Sequence, residues 1–385
     1  MTEAYLVAAT RTAGARRGGK FKDQHPVDLA AAVLNDLLAR SGCDPALVDD
    51  VILGCVSQAG EQSTNVARNA VLASGLPETI PGTSIDRQCG SSQQALQFAA
   101  QAVMSGTMDV VIAGGVESMS RVPMGMPHAL PRAQGLGAYL SPQINARYGN
   151  VEFSQFDGAE IIAERFGFTR EAMDAFALDS HRKAAAATAA GKFKQEILVV
   201  EVDGVPHATD EGIRADTSLE ALGGLKLLRE GGRVTAGNAS QICDGASGVL
   251  VVSERGLKRL GVAPLARVHH MSVLGGDPVT MLDVPLAATE RALRRAGMKI
   301  GEIDLFEVNE AFACVPMAWL KATGADPNRL NVHGGAIALG HPLGASGTKL
   351  MTTLLSALHD RNKRFGLQTM CEGGGQANVT IVERL

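Results

Sequence analysis

An offset of 255 residues runs through this chain and limits what it can fold into more than its composition does. Residues 38–51 (LARSGCDPALVDDV) return in outline at residues 293–306 (LRRAGMKIGEIDLF), with Gly42 and Gly297, and Asp49 and Asp304, each 255 positions apart. The same offset lays residues 89–104 (CGSSQQALQFAAQAVM) on residues 344–359 (GASGTKLMTTLLSALH), so that Ser91 meets Ser346. It also lays residues 111–117 (VIAGGVE) on residues 366–372 (GLQTMCE). Three ungapped matches at one offset point to duplication. Each copy reads as a short apolar strand, an amphipathic helix, a second strand (residues 51–55 and 305–308), a glycine-rich turn, a helix and a further strand. That alternation belongs to α/β sheets with helices on their faces.

The last strand of each copy, residues 248–253 (GVLVVS) and 378–382 (NVTIV), precedes a Glu-Arg pair and follows an offset of 129 instead. The first copy therefore carries an insertion of roughly 126 residues between Ser118 and Cys243. The expected organisation is a first core half made of residues 1–118 with 244–260, an inserted domain at residues 119–243, and a second core half at residues 261–385. Prolines, glycines and charges in the insertion suggest a mainly surface subdomain that shapes a pocket. An unrelated middle domain is the alternative.

Composition removes several classes of function. The 385 residues are 45% hydrophobic, 20% charged and 4% aromatic, with 44 glycines and a net charge of -4, the profile of a globular α/β protein. No basic run offers a footprint for a phosphate backbone, so nucleic acid is not an expected partner. Two long uncharged stretches, residues 88–108 and 331–348, are too rich in Gly, Ser, Gln, His or Pro to span a membrane. An apolar run at residues 5–9 leaves no room for a targeting segment, and Glu383-Arg384-Leu385 matches a peroxisomal tripeptide only in its last residue, so a cytoplasmic location is expected. Six cysteines without C-x-x-C spacing read as reduced thiols.

Cys89 stands in Asp86-Arg87-Gln88-Cys89-Gly90-Ser91-Ser92, just before a run with helical apolar spacing. A thiol at a helix N-terminus faces unpaired N–H groups that favour its thiolate, although a buried structural cysteine fits the same pattern. His341 lies in a glycine-rich loop, where it can accept a thiol proton or donate to an oxyanion, or serve only the loop. Cys371 opens Cys371-Glu372-Gly373-Gly374-Gly375, whose glycines expose N–H groups suited to developing negative charge. Asn309 follows the strand at residues 305–308, a usual place for site residues and equally a helix cap.

Together these segments resemble the thiolase family over nearly the whole chain. The resemblance is carried by Cys89-Gly90-Ser91, Gly114-Gly115-Val116-Glu117-Ser118-Met119-Ser120, Thr235-Ala236-Gly237-Asn238-Ala239-Ser240, Asp244-Gly245-Ala246, Asn309-Glu310-Ala311-Phe312, Gly340-His341-Pro342 and Cys371-Glu372-Gly373-Gly374-Gly375. It implies the five-layered αβαβα thiolase fold, two similar core domains with an inserted loop domain. It further implies Cys89 as the nucleophile toward a 3-oxoacyl-CoA, His341 as its base, and Cys371 as the acid and base at the acetyl-CoA carbon. One oxyanion hole would use His341 and a water on Asn309, the other the N–H groups of Cys89 and Gly373. Arg214, in Asp210-Glu211-Gly212-Ile213-Arg214, would meet the adenine end of CoA, and Ser240 its pantetheine arm. Apart from the family these two read as a surface charge and a turn residue. CoA enters as substrate and product, no tightly bound cofactor or metal is implied, and a homodimer or homotetramer is the expected assembly.

Residues 155–160 (QFDGAE) stand where many members of the family have Met-Gly-x-x-Ala-Glu, and His333 stands where Asn is common. The Cys89 and Cys371 segments look closest to bacterial thiolases of lipid and steroid catabolism. Degradative cleavage of medium, branched or ring-derived 3-oxoacyl-CoA esters is therefore expected. The alternatives are a biosynthetic acetoacetyl-CoA thiolase and a non-catalytic acyl-CoA or lipid-binding relative. The other cysteines, Cys43, Cys55, Cys243 and Cys314, read as packing residues.

Overall fold

The computed structural model describes residues 3–385. In the first copy, β1 (Tyr5–Thr12) and the two-residue β2 (Ala15–Arg16) precede α1 (Pro26–Ser41), β3 (Asp50–Gly54), α2 (Val66–Ala73), β4 (Gly82–Ile85), α3 (Ser91–Met104) and β5 (Val110–Ser118). Residues 119–242 then carry α4 (Met126–Ala133), α5 (Pro142–Tyr148), α6 (Gln155–Phe166), α7 (Arg170–Ala189), the short strands β6 (Ile197–Leu198), β7 (Val200–Val202) and β8 (Val205–His207), and α8 (Leu219–Gly223). The chain returns to the core in β9 (Cys243–Val252) and α9 (Glu254–Leu260). The second copy runs through β10 (Ala266–Gly275), α10 (Val284–Ala296), β11 (Leu305–Val308), α11 (Cys314–Thr323), α12 (Ala336–Leu339), α13 (Ser346–Asp360), β12 (Phe365–Glu372) and β13 (Gln376–Arg384).

The two copies repeat one strand topology. In the first, β3 pairs parallel with β5, β5 antiparallel with β9 and β9 antiparallel with β1. In the second, β11 pairs parallel with β12, β12 antiparallel with β13 and β13 antiparallel with β10. The half-sheets meet where β1 pairs with β10 at Tyr5↔Arg267 and Leu6↔Ala266. The conserved offset has a local cause. Gly42 and Gly297 both end a helix in the left-handed conformation, at φ 62° and 67°, where a side chain would clash with the backbone. Asp49 accepts the N–H groups of Asp109 and Val110 at 2.6 and 2.9 Å, and Asp304 those of Arg364 and Phe365 at 3.0 and 2.9 Å, so each aspartate pins the start of the matching strand.

Five layers follow from which faces are apolar. Helices α1 and α2 cover one face of the first half-sheet, with Leu34, Leu37, Val66 and Val71 against Val51, Ile112 and Leu250. The other face packs Val111, Ala113 and Val249 on α3 and α13, through Leu96, Val103, Met351 and Leu354. Those helices also support the second half-sheet, whose far side is closed by α10 and α11 with Ala288, Ala292 and Trp319 on Phe306, Leu367 and Ile381. The central helix α3 is polar in its first turns, where it meets β13. Gln93 and Gln97 are buried and donate to Thr380 Oγ1 at 2.9 and 3.1 Å.

The segment expected to lie mainly on the surface is only partly there. Helices α4 and α5 bury no residue, but β6 pairs with β1, and Arg11 lies buried between Glu196 and Asp210 with contacts of 2.7 and 2.8 Å. A buried guanidinium needs such partners, and they come from the segment far along the chain. Among the described residues no helix is long and apolar enough to cross a membrane.

Candidate active site

Cys89 rides on a tight turn between β4 and α3. Gln88 holds a left-handed φ of 49°, uncommon for a residue with a side chain. Asp86 stabilises it by accepting the Gln88 N–H at 2.7 Å, while Ser91 Oγ accepts the Arg87 N–H at 2.9 Å and donates to the Gln88 carbonyl at 2.6 Å. The thiol is thereby presented at the opening of α3. The thiolate expected from the helix terminus does not prevail: burial, and then the Glu372 carboxyl, push the Cys89 thiol up to about 12. Cys89 rests as a thiol and needs a base.

His341 follows α12, and its backbone N–H donates to the Gln241 carbonyl at 3.0 Å. Its Nδ1 lies 2.5 Å from Ser346 Oγ, and that hydroxyl lies 2.8 Å from the Pro342 carbonyl. A carbonyl only accepts, so the hydroxyl proton goes to Pro342 and Nδ1 must donate to Ser346. Nε2 then carries the lone pair, a base's tautomer. Nε2 stands 3.5 Å from Asn309 Nδ2. Burial, then the charge of Lys349, push the imidazole down to about 3, so it is neutral at physiological pH. Asn309 is not a helix cap: α11 begins at Cys314 behind Ala313, and the Asn309 N–H donates to the Thr369 carbonyl at 3.1 Å. Its Oδ1 is buried without a partner.

The two turns meet because the helices behind them touch. A Cβ on Gly347 would lie 2.0 Å from the Gln93 backbone nitrogen, and Ser92 Oγ accepts the Thr348 N–H at 3.0 Å. The third loop closes on the first through side chains laid against glycines. A Cβ on Gly90 would lie 1.9 Å from Glu372 Oε1, and one on Gly373 2.7 Å from Gln88 Oε1. Cys371, at the end of β12, is fully buried among Phe312, Cys314, Met281 and Ala159. Burial raises its thiol well above the ordinary range, with Cys89 as the next cause.

Ser240 is half-buried, and its N–H donates to the Ala311 carbonyl at 2.9 Å, next to the Asn309 turn. Arg214 is exposed; its N–H donates to His181 Nδ1 at 3.2 Å. Gln241 links that segment to the His341 loop, donating to the carbonyls of Gly212 and Ile337 at 2.8 and 2.7 Å. Sequence reasoning passed over Gln88, Gln241, Glu372 and Lys349. Only Gln88 left a local signal, the preceding Asp86 that stabilises such turns. Among the described residues no cluster of three or more His, Cys, Asp or Glu could hold a metal ion.

Comparison with known proteins identifies the frame around these residues. The family model described as thiolase, N-terminal domain, matches residues 4–255, and that described as thiolase, C-terminal domain, matches residues 262–384. The chain is 54% identical over 387 residues to the steroid 3-ketoacyl-CoA thiolase FadA6 of Mycobacterium tuberculosis, covering 100% of this chain and 95% of that protein. It is 44% identical over 383 residues to a 3-ketoacyl-CoA thiolase of Saccharophagus degradans, covering 97% and 95%. A 3-oxoadipyl-CoA/3-oxo-5,6-dehydrosuberyl-CoA thiolase of Escherichia coli is 42% identical over 403 residues, with 100% of both chains covered.

Proposed function

The chain belongs to the thiolase family, and from that premise we propose a reaction course for its own residues: cleavage of a 3-oxoacyl-CoA by CoA through an acyl group on Cys89. It is an acyltransferase acting in the degradative direction. The observation that carries the reading is the meeting of three loops, with a neutral imidazole of defined tautomer on one, a thiol that needs a base on another and a second thiol on the third.

His341 Nε2 takes the Cys89 proton as Sγ bonds to the 3-keto carbon. The oxyanion is held by His341 and a water on Asn309. The bond between C2 and C3 then breaks, the electron pair passes to C2, and Cys371 protonates it to give acetyl-CoA, or propionyl-CoA from a branched ester. CoA next attacks the acyl thioester and gives its proton to the Cys371 thiolate. The N–H groups of Cys89 and Gly373 hold that second oxyanion. Departure of Cys89 as thiolate restores its proton from His341, so the cycle balances with no metal or redox step.

The inserted domain, residues 119–243, binds CoA in this reading, with Ser240 beside the pantetheine arm and Arg214 at the adenine end. Support for a bulky acyl group comes from the steroid named in one relative. Gln155 Nε2 contacts Met124 Sδ at 3.7 Å, and the next residue, Phe156, packs edge-on against Phe312 at 5.7 Å. The protein acts as a cytoplasmic homodimer or homotetramer, which light scattering resolves. The activity test is a panel of 3-oxoacyl-CoA esters with free CoA, from acetoacetyl-CoA to ring-bearing thioesters. Preference for the bulky esters, abolished in Cys89→Ala, is expected. Equal or better turnover of acetoacetyl-CoA would move the protein to the biosynthetic class, and binding without cleavage would remove the catalytic assignments.

A further inference from the structure

We propose that Lys349 is a positioning residue for the reaction, holding the His341 loop so that Nε2 faces Asn309; this rests on His341 being the base. Lys349 is buried on α13, and its ammonium donates to the carbonyls of Leu339 and Gly340, the latter at 3.0 Å. These carbonyls end α12, where the backbone has no helical partner and a cation is favoured. One turn earlier on α13, Ser346 takes His341 Nδ1 and the Pro342 carbonyl. A single helix thus grips residues 339–342 on both sides of the imidazole.

The backbone between those grips has no slack. Gly340 has a φ of 81°, and a Cβ there would lie 2.6 Å from Cys243 Sγ. Around the ammonium stand Asp210, Glu196, Arg11 and the Cys243 thiol. Asp210 is already bound by Arg11 at 2.8 and 3.0 Å, and Arg11 and Lys349 together hold it ionised. After burial, the Lys349 charge is what lowers His341, and Glu117 accepts the Gly344 N–H three residues further on at 2.9 Å. The ammonium therefore disfavours the imidazolium, and a neutral imidazole is the form that accepts a proton from Cys89. Asp210 opens the segment that ends in Arg214, so the same group ties the CoA side of the protein to the base.

Three substitutions separate charge from contact. Lys349→Met removes both, Lys349→Gln leaves a shorter donor without charge, and Lys349→Arg keeps the charge. In the full-length enzyme, Met and Gln are expected to lower kcat by about tenfold or more with KM for CoA nearly unchanged, and to raise the acid limb of kcat/KM by about one pH unit. Arg is expected to keep the acid limb. Imidazole NMR titration of His341, assigned with His341→Asn, should move upward in Gln. Folded Lys349→Gln with wild-type kcat and an unmoved acid limb would overturn the proposal, and so would loss of the acid limb in Lys349→Arg should the uncharged variants fail to fold. Persistent turnover in His341→Asn would instead remove the base assignment, which distinguishes the two failures.

Discussion

Glu117 and Glu372 stand 255 residues apart at equivalent places near the ends of β5 and β12, and only the first is hydrogen-bonded. Glu117 accepts the N–H groups of Val56, Ser57 and Gly344 and the Gln62 amide at 2.9 to 3.0 Å. Both oxygens of Glu372 are buried without partners, beside Gly90. Duplication gave two identical carboxyls, and the site has stripped one of its donors.

The pair should respond oppositely to substitution. Glu117→Ala leaves four buried donors unmet and is expected to lose about 3 kcal/mol or more in urea denaturation. Glu372→Gln should stay within about 1 kcal/mol of the parent and speed alkylation of Cys89 only at a pH high enough to ionise the parent's Glu372, which burial holds well above the usual carboxylate range and whose charge then raises the thiol. Equal destabilisation by both would contradict the asymmetry.

Gly347→Ala drives a methyl group into the Gln93 backbone, 2.0 Å away, where no side-chain rotation gives relief. A loss of about 2 kcal/mol or more is expected, with activity falling further as the Cys89 and His341 turns separate. Thermal melting beside turnover checks this; a stable, active variant would mean that the helices are not in register as described.

Ser346→Ala removes the acceptor that orients His341 Nδ1–H. Acylation of Cys89 should slow by roughly tenfold, with KM for CoA unchanged. Single-turnover kinetics supplies the readout, and an unchanged acylation rate would show that Ser346 does not set the tautomer.

Acid should unfold the protein through its buried imidazoles. Burial, then neighbouring cationic charge, lower His181 and His333 to about 4, and His341 to about 3. The folded forms refuse a proton that the unfolded chain accepts below its ordinary value near 6.5. The stability they contribute is complete above about pH 6.5 and drains away as the pH falls toward about 4. His333→Asn should recover roughly 2 kcal/mol of the loss across that window. Denaturation midpoints measured from pH 7 to 4 would contradict this by falling with the same slope in the variant.

Much of this architecture can be read from the residues, for physical reasons. A helix-ending glycine and a strand-pinning aspartate must recur in each copy, so Gly42, Gly297, Asp49 and Asp304 mark the duplication. Cys89, His341 and Cys371 stand out because glycine-rich turns surround them. The state of Cys89 was not legible, since it depends first on burial and then on a Glu372 carboxyl, both brought by residues far along the chain. Lys349 reads as one more polar position of an amphipathic helix until α12 is seen to end against it. Asn309 read equally well as a cap, and only the start of α11 at Cys314 removes that option.

The central claim is that the acyl group passes through Cys89. It is tested most directly by mixing the enzyme with a 3-oxoacyl-CoA in the absence of free CoA, quenching rapidly and mapping the added mass by peptide mass spectrometry. The account predicts the shortened acyl group on the Cys89 peptide, released on addition of CoA and absent in Cys89→Ala. Acylation of Cys371 instead, or cleavage that proceeds in Cys89→Ala, would contradict it.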